Sequence, residues 1–345
     1  MTAVPDLRDL TRHPVIVAPM AGGPSTPELV VAAAEAGPLG FLAAGYKTAE
    51  AMAAEIKALR AATGGAFGVN VFVPQPPADL GNRVDAYLRT LEPEAADLGA
   101  PLGEPQWDDD GWEAKLAALL ADPPPLVSFT FGCPSTELLA AFRQAGTLVA
   151  VTVTTPEEAT MAAAAGAGCL CVQGSEAGAH RGSFTNDDRP GQDWTLLALL
   201  AEIPRSTDLP LIAAGGIAGP RGVAAVRAAG AVAAQVGTAF LRCPESGAHP
   251  VHKAALADAR FTATAVTRAF SGRPARGLVN RFMLAHHDAP PAYPEINNAT
   301  RPLRAAAAAR GDAGGMSLWA GQAFRAATDR AAGEVIGHLA SGTTF

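Results

Sequence analysis

The chain has 345 residues, of which 49% are hydrophobic and 17% are charged, and it contains 36 glycines and 28 prolines. This composition excludes a disordered chain, which would be less apolar, and a coiled coil, which would hold fewer turn-forming residues. The net charge of −7 and the absence of any run rich in Lys or Arg argue against binding to nucleic acid or to an anionic membrane surface.

The segment before the first predicted strand, residues 1–14, has no apolar run of signal-peptide length. No segment approaches the about 20 consecutive apolar residues that cross a membrane. The four cysteines form neither a CxxC pair nor an array with metal-ligand spacing. Cys169 and Cys171 share one face of a predicted strand, where we interpret them as small core residues rather than a redox pair. These features predict a soluble, cytoplasmic protein.

Eight short apolar runs alternate with Ala-rich helical stretches between residue 14 and about residue 240. The runs span residues 15–20, 39–43, 67–73, 126–130, 148–152, 169–172, 211–214 and 232–236. The first helix has a start signal at 25–28 (Ser-Thr-Pro-Glu), in which capping hydroxyls precede a first-turn proline, and it ends at Gly37. Further helices are predicted at about 48–62, 156–165 and 220–229.

Near-continuous apolar runs indicate strands that are buried on both faces, as in a parallel sheet. Eight such units favour an α/β fold of the (β/α)8 TIM barrel type over an open sheet. An insert at about 74–125, rich in proline and acidic residues, interrupts the pattern, and residues 245–310 break it again before a final helix predicted at 317–339. Trp107 and Trp112 of the insert could contact substrate, but anchoring of the insert is the favoured interpretation.

The catalytic and ligand-binding residues of a barrel enzyme lie at the carboxyl ends of its strands and in the loops that follow. There the sequence is rich in glycine and amides and nearly free of carboxylates, apart from Glu176, which we expect to face away. After the seventh and eighth strands, Gly215-Gly216 and Gly237-Thr238 favour a phosphate site, because glycine lets backbone N–H groups approach an anion. Neither motif contains Lys or Arg, so neutral donors and a dipole would hold the phosphate.

Asn70 and Gln173 are amide side chains on otherwise apolar strands. Either one alone would be interpreted as satisfying buried backbone groups. Together, beside a phosphate site, they indicate a phosphorylated ring cofactor, because an amide both donates and accepts hydrogen bonds as a flavin ring requires. The nucleotide motifs GxGxxG and GxxxxGK[ST] are absent.

His180 is the candidate catalytic residue, since it lies on a loop between Gly178 and Gly182 just past the sixth strand. The other candidate histidines lack a companion carboxylate or cysteine pattern for a metal site. We expect surface or structural roles for these four residues, His249, His252, His286 and His287.

Several segments closely resemble class I nitronate monooxygenases, formerly called 2-nitropropane dioxygenases. At the start of the chain they are 14–29 (PVIVAPMAGGPSTPEL), 37–46 (GPLGFLAAGY) and 68–72 (GVNVF). The resemblance continues in 173–182 (QGSEAGAHRG), 213–217 (AAGGI), 235–241 (QVGTAFL) and 270–277 (FSGRPARG). It covers most of the chain and is weakest in the insert, and the histidine loop is its most specific part.

The resemblance implies a flavin-dependent oxidoreductase with a smaller, mainly helical domain that covers the substrate. In this division, residues 1–244 form the FMN-binding barrel, completed by a C-terminal helix at 315–345, and residues 245–314 form the covering domain. The enzyme would oxidise alkyl nitronates of the propionate 3-nitronate type with O2 to a carbonyl compound and nitrite. Its partners would thus be a small-molecule nitronate and O2.

The resemblance also implies residue roles. His180 would be catalytic, binding the nitronate oxygens or acting as base on a nitroalkane, and Tyr293 would lie near the substrate pocket. The FMN-binding residues would be Met20, Ala21, Asn70, Gln173, Gly178, Gly215, Gly216, Gln235, Val236, Gly237 and Thr238.

Two alternatives stay open at this point. An FMN-dependent enoyl reductase of fatty-acid synthesis shares a barrel, a related opening motif and a histidine, and it would oxidise NAD(P)H rapidly. A non-catalytic barrel that binds a phosphate-bearing ligand would hold no flavin and would be colourless. The oligomeric state is also open, since an apolar helix face is compatible with either core packing or a homodimer contact.

Overall fold

The computed structural model describes residues 5–187 and 193–341. The strands are β1 (Val15–Val17), β2 (Leu39–Ala43), β3 (Phe67–Phe72), β4 (Leu126–Thr130), β5 (Leu148–Val153), β6 (Cys169–Gln173), β7 (Ala179–His180), β8 (Leu211–Ala214), β9 (Ala233–Val236), β10 (Thr264–Thr267) and β11 (Ala275–Leu278). The helices are α1 (Leu7–Leu10), α2 (Pro27–Ala36), α3 (Ala49–Ala62), α4 (Arg83–Thr90), α5 (Glu92–Leu98), α6 (Trp112–Ala121), α7 (Thr136–Gln144), α8 (Pro156–Ala165), α9 (Leu196–Glu202), α10 (Pro220–Ala228), α11 (Pro250–Ala257), α12 (Arg281–Ala285), α13 (Glu295–Ala309) and α14 (Ala332–Ala340). Within these two ranges, no helix is long and apolar enough to cross a membrane.

Eight of the strands, β1–β6, β8 and β9, form a closed parallel barrel. Each strand pairs with the next, and the barrel closes where Val17 lies opposite Gly40 of β2 on one side and Val236 of β9 on the other. These are the eight runs predicted from the sequence. The predicted (β/α)8 TIM barrel is therefore confirmed.

Helix α2 begins as its start signal predicts. Thr26 is the N-cap, and its hydroxyl accepts a hydrogen bond from the Leu29 N–H at 3.1 Å, with Pro27 in the first turn. Ser25 accepts the Met20 N–H at 2.8 Å instead. Thr26 therefore caps the helix, and Ser25 holds the loop after β1 against the start of the helix.

The barrel interior is filled at its amino-terminal end. A cluster of buried side chains from the strands packs there with Leu7 of α1. The cluster includes Ile16, Phe41, Leu126, Leu148, Ala150, Cys169 and Ile212. Because this end is packed, a ligand can reach the barrel axis only from the carboxyl ends of the strands.

The insert contains α4, α5 and α6, and its two tryptophans make different contacts. The Trp107 Nε1–H donates to the backbone oxygen of Gln75 at 2.8 Å. Trp112 packs edge-on against Phe129 of β4, with ring centroids 5.8 Å apart. Trp112 therefore anchors the insert to the barrel, as the sequence favoured, whereas the Trp107 hydrogen bond stays within the insert.

Residues 245–314 build a second layer at the carboxyl ends of the strands. The layer contains α11, α12 and α13, and also an antiparallel sheet in the order β10–β11–β7. Because β7 comes from the loop after β6, this sheet joins the layer to the barrel. An apolar cluster that includes Phe270, Phe282 and Ile296 forms its core. The predicted domain boundaries, 1–244 and 245–314, stay predictions.

The helix predicted at 317–339, like the C-terminal helix at 315–345, is wrong over most of its length. Only α14 is an α-helix there, and residues 342–345 lie outside the described residues. Residues 318–320 instead run along β11: the Leu318 oxygen accepts the Leu278 N–H at 2.9 Å, and the Ala320 N–H donates to the Arg276 oxygen at 3.2 Å. This segment therefore lies against β11, and its apolar side chains are buried there. The hydrophobic periodicity of the sequence does not show this contact, because the two segments are far apart along the chain.

Candidate active site

The carboxyl ends of the barrel strands open into a cavity of about 520 Å³. This volume lies in the usual range for pockets that hold small ligands and cofactors. Every predicted cofactor-binding residue and the predicted catalytic histidine line it: Met20, Ala21, Asn70, Gln173, Gly178, His180, Gly215, Gly216, Gln235, Val236, Gly237 and Thr238. The strand-end positions chosen from the sequence are thus brought together at a single site.

The loops after β8 and β9 present backbone and hydroxyl donors to this cavity. Gly215 and Gly216 have φ angles of 120° and 67°, a region that favours glycine. A Cβ on Gly215 would lie 3.1 Å from the Ala177 nitrogen, so a side chain there would crowd the loop. The Thr238 hydroxyl accepts the Gly321 N–H at 3.0 Å, which leaves its own proton free to donate. No Lys or Arg occurs in 214–218 or 235–238, so the donors are neutral.

The two predicted amides make different contacts. Asn70 Nδ2 donates to two hydroxyls of β4 at 2.9 and 3.0 Å, while no described residue donates to its Oδ1. Gln173 Nε2 donates to the His180 oxygen at 3.1 Å, and its Oε1 accepts the Gly182 N–H at 2.8 Å. Gln173 therefore braces the histidine loop, and the Asn70 oxygen is left for a ligand.

The cavity floor is uncharged. Gln235 Nε2 donates to the Cys171 sulfur at 3.3 Å, and burial raises the pKa of that thiol to about 12, so it stays protonated. Cys169 lies deeper, in the apolar cluster of the barrel interior. Glu176 faces away as expected, because its carboxylate accepts the Leu196 N–H at the start of α9 at 3.1 Å.

Backbone pairing positions His180. In β7 it lies opposite Ala275 of β11, which ties the histidine loop to the second layer. Gly178 lets the loop approach residues 320–321, since a Cβ there would lie 2.5 Å from the Gly321 nitrogen. Three aromatic rings surround the imidazole at centroid distances of 5.8, 5.5 and 5.6 Å: Phe131, Tyr293 and Trp319.

A buried serine holds one nitrogen of the imidazole. His180 Nε2 lies 2.8 Å from the Ser271 Oγ, and the Ser271 hydroxyl donates to the Arg273 backbone oxygen at 3.2 Å. With its proton on that oxygen, the hydroxyl accepts the Nε2–H, so the network assigns the proton to Nε2. Nδ1 then carries the lone pair, and no described residue donates to it.

Burial and two arginines keep His180 neutral. Its pKa is lowered to about 3, first by burial and then by the charges of Arg273 and Arg304. Arg273 is fully buried, with its guanidinium carbon 4.1 Å from the Phe131 ring centroid. Arg304 lines the cavity, and its Nη2 donates to the backbone and side-chain oxygens of Asn297 at 2.8 and 2.9 Å. Burial lowers the pKa of both arginines only to about 10, so both stay positively charged beside His180.

Tyr293 lies beside the cavity rather than on its surface. Its ring centroid is 5.5 Å from that of His180, and its hydroxyl donates to the Tyr46 hydroxyl at 3.2 Å. Tyr46 itself lines the cavity. Tyr293 therefore connects the candidate catalytic residue to a second tyrosine in the cavity wall.

The four other candidate histidines lie in different surroundings. His249 caps α11 at the cavity rim, His286 packs against Phe282 at a centroid distance of 4.5 Å, and His287 is exposed. His252 is buried, it lines the cavity, and burial lowers its pKa to about 4. The surface or structural roles expected for these four residues stay predictions. Over residues 5–187 and 193–341, no cluster of three or more His, Cys, Asp or Glu side chains could hold a metal.

Several residues at or next to the cavity carry no assignment from the sequence. Ser271 lies in 270–277, a segment that resembles the family, so the sequence marks it as a candidate. Its contact with His180 spans 91 positions, which the sequence does not show. The others lie in loops or in the second layer, where sequence patterns do not show which side chains face inward. They are Tyr46, Phe131, Arg304 and Trp319.

Comparisons with known proteins identify the family of the chain. The sequence profile of the family described as Nitronate monooxygenase matches residues 5–342. A nitronate monooxygenase of Pseudomonas aeruginosa is 40% identical over 338 residues, which is 94% of each chain. The solved structure of a nitroalkane oxidase from Streptomyces ansochromogenes is 53% identical, with 97% of this chain and 96% of that chain covered and a TM-score of 0.95. FabK from Thermotoga maritima is 28% identical, with 96% and 94% covered and a TM-score of 0.70. The chain belongs to the nitronate monooxygenase family of oxidoreductases.

Proposed function

We propose that this chain oxidises alkyl nitronates of the propionate 3-nitronate type, using bound FMN and O2, and releases a carbonyl compound and nitrite. One observation carries the proposal: His180, whose pKa is lowered to about 3 by burial, lines the same cavity as the glycine-rich loops at 215–216 and 237–238. The similarity to proteins named nitronate monooxygenase and nitroalkane oxidase supports it.

The residues of the cavity fit FMN. The loops at Gly215-Gly216 and Gly237-Thr238, which line the cavity, would hold the phosphate through N–H and O–H donors. The Asn70 oxygen would meet a polar edge of the ring. When bound, FMN would accept the electrons of the substrate and pass them to O2.

His180 would serve two forms of the substrate. For a neutral nitroalkane, the Nδ1 lone pair would accept the proton from the α-carbon, while Ser271 keeps the other nitrogen protonated. A nitronate has already lost that proton, so there the site must hold an anion. The guanidinium of Arg304 at the cavity surface would stabilise this anion. His180 would hold it through an Nδ1–H in the other tautomer, in which the Ser271 hydroxyl donates to Nε2.

The second layer would exclude water from the reacting atoms. Trp319 and Tyr293 pack on His180 from this side of the molecule, and Phe131 packs on it from the loop after β4. A dry surrounding strengthens the attraction between the anion and the arginines. Residues 245–314 would therefore cover the substrate, as the resemblance implies.

Anaerobic mixing tests the proposed function against its alternatives. The purified protein is mixed with propionate 3-nitronate in one experiment and with NADPH in another, and the visible absorbance of the flavin is followed. We expect rapid bleaching by the nitronate and none by NADPH on that time scale. Bleaching by NADPH alone would support an enoyl reductase instead. A colourless protein that takes up no FMN would support the non-catalytic barrel.

A further inference from the structure

The insert reaches the cavity through one buried ion pair. Lys115 of α6 has no exposed side-chain surface, and its Nζ lies 2.7 Å from the Asp110 Oδ2. Within residues 5–187 and 193–341, this carboxylate is the only acidic group that contacts Lys115. Moving two charges out of water costs as much as their attraction returns, so a buried pair is weak evidence for stability. A positioning role therefore explains this buried pair better than a contribution to stability.

Asp110 uses its second oxygen to hold the backbone of Tyr46. Its Oδ1 accepts the Tyr46 N–H at 2.8 Å, across 64 positions of sequence. The φ angle of Tyr46 is 67°, in the left-handed region that residues other than glycine rarely adopt. Such a conformation persists only where the surroundings restrain it. The hydrogen bond to Asp110 is a restraint of this kind.

Tyr46 lies in the wall between two cavities, together with Phe72, Asn297 and Arg301. It lines the cavity described above and also an adjoining cavity of about 420 Å³ on the side of the insert. Its ring lies edge-on to Phe72, at a centroid distance of 5.5 Å, and its hydroxyl accepts the hydrogen bond from Tyr293. Tyr293 packs on His180 in turn. The position of Tyr46 therefore determines the room available beside His180.

We propose that Asp110 and Lys115 are positioning residues for the substrate side of the cavity. Lys115 orients the Asp110 carboxylate, the carboxylate holds the Tyr46 backbone, and Tyr46 keeps the wall beside His180 in place. The insert thereby supports the site through packing and hydrogen bonds without touching the substrate. The kinetic part of the test below rests on the proposed function, whereas the exchange part does not.

Hydrogen exchange of the Tyr46 amide in the purified full-length protein measures the restraint directly. Lys115→Met replaces the ammonium by an apolar chain, and we expect exchange to become at least about tenfold faster because the carboxylate loses its orientation. The matched control is Arg60→Met, which removes an ion pair with Asp122, 3.1 Å long, between α3 and the end of the insert. The control should leave Tyr46 exchange unchanged. Wild-type exchange in Lys115→Met would overturn the proposal.

A second variant covers the case in which Lys115→Met does not fold because it leaves Asp110 unpaired. Asp110→Asn combined with Lys115→Met keeps an oxygen for the Tyr46 N–H and leaves no buried charge. We expect this double variant to fold and to exchange the Tyr46 amide faster than the wild type. Full protection of the amide in this variant would show that the ion pair has no part in holding Tyr46.

A double-mutant cycle tests whether Asp110 acts through Tyr46. Asp110→Ala and Tyr46→Ala should each raise KM for the nitronate roughly tenfold with a smaller change in kcat. The double variant should be no worse than Tyr46→Ala alone, since the residue being positioned is already gone. Losses that multiply would overturn the proposal. A wild type that does not turn over nitronates refutes the proposed function only, because amide exchange still decides the positioning role.

Discussion

The imidazole of His180 lies between a serine that holds one nitrogen and two arginines that keep the ring from gaining charge. Ser271 accepts the Nε2–H, and the lowered pKa of about 3 leaves Nδ1 as a proton acceptor over the whole neutral range. A pKa of about 3 makes the ring a weak base, so removal of the α-proton from a neutral nitroalkane depends on the imidazole being held in the right tautomer. A nitronate needs only charge stabilisation. The two substrate forms therefore depend on Ser271 to different degrees.

Ser271→Ala should separate the two substrate forms. Loss of the hydroxyl leaves the Nε2–H without its buried acceptor and frees the ring to change tautomer. We expect kcat/KM for nitroethane to fall by roughly ten- to a hundredfold, and kcat/KM for ethylnitronate to fall much less. Steady-state rates with both forms provide the measurement. His180→Asn is the comparison variant, which should keep FMN and lose most activity on both forms. Equal losses on both forms in Ser271→Ala would contradict the assigned tautomer.

At the scale of elements, the predictions succeed where neighbouring residues determine the structure. The helices that follow Thr26 and Thr48 begin there because each hydroxyl accepts a backbone N–H three residues on. The predicted helix at 317–339 fails because residues 318–320 pair with β11, about 40 positions earlier. The same pairing places Trp319 against His180, so the error hid a part of the site.

The close approach of the histidine loop to residues 320–321 gives a prediction for a glycine. A Cβ on Gly178 would lie 2.5 Å from the Gly321 nitrogen, so Gly178→Ala must push two backbone segments apart. We expect a loss of about 1–3 kcal/mol in the free energy of unfolding and weaker FMN binding. Gly337→Ala in α14 is the matched control, since nothing lies within 4 Å of its added Cβ. This control should be neutral or up to about 1 kcal/mol more stable. Denaturant unfolding and flavin titration measure both variants, and a Gly178→Ala protein as stable as the control would contradict the prediction.

At the scale of the whole molecule, the closed barrel explains which site residues the sequence could predict. Parallel closure brings all strand ends to one rim, so strand-end residues such as Asn70 and Gln235 had to meet. Arg304 reaches the cavity from a helix of the second layer, and Tyr46 is placed by an aspartate 64 positions away. Their positions depend on packing between layers, which a pattern along one chain does not contain.

The enclosed histidines should make the whole molecule less stable in mild acid. Burial lowers the folded-state pKa to about 3 for His180 and to about 4 for His252, against 6.5 for a free histidine. As the pH falls below about 6.5, the unfolded chain therefore takes up protons that the folded chain does not. The free energy of unfolding is highest above that pH and decreases as the pH falls toward the folded-state pKa values.

His252→Asn should remove its share of this acid sensitivity. Between about pH 6.5 and about pH 5, each enclosed histidine costs about 2 kcal/mol of unfolding free energy, because one pKa unit corresponds to about 1.4 kcal/mol. Urea unfolding of the flavin-free protein at the two pH values measures the loss of unfolding free energy on acidification. This loss should be smaller by about 2 kcal/mol in His252→Asn than in the wild type. His287→Asn, at the exposed His287, is the control and should keep the wild-type decrease. A variant at His252 with the wild-type decrease would mean that this ring is protonated in the folded molecule as readily as in the unfolded one.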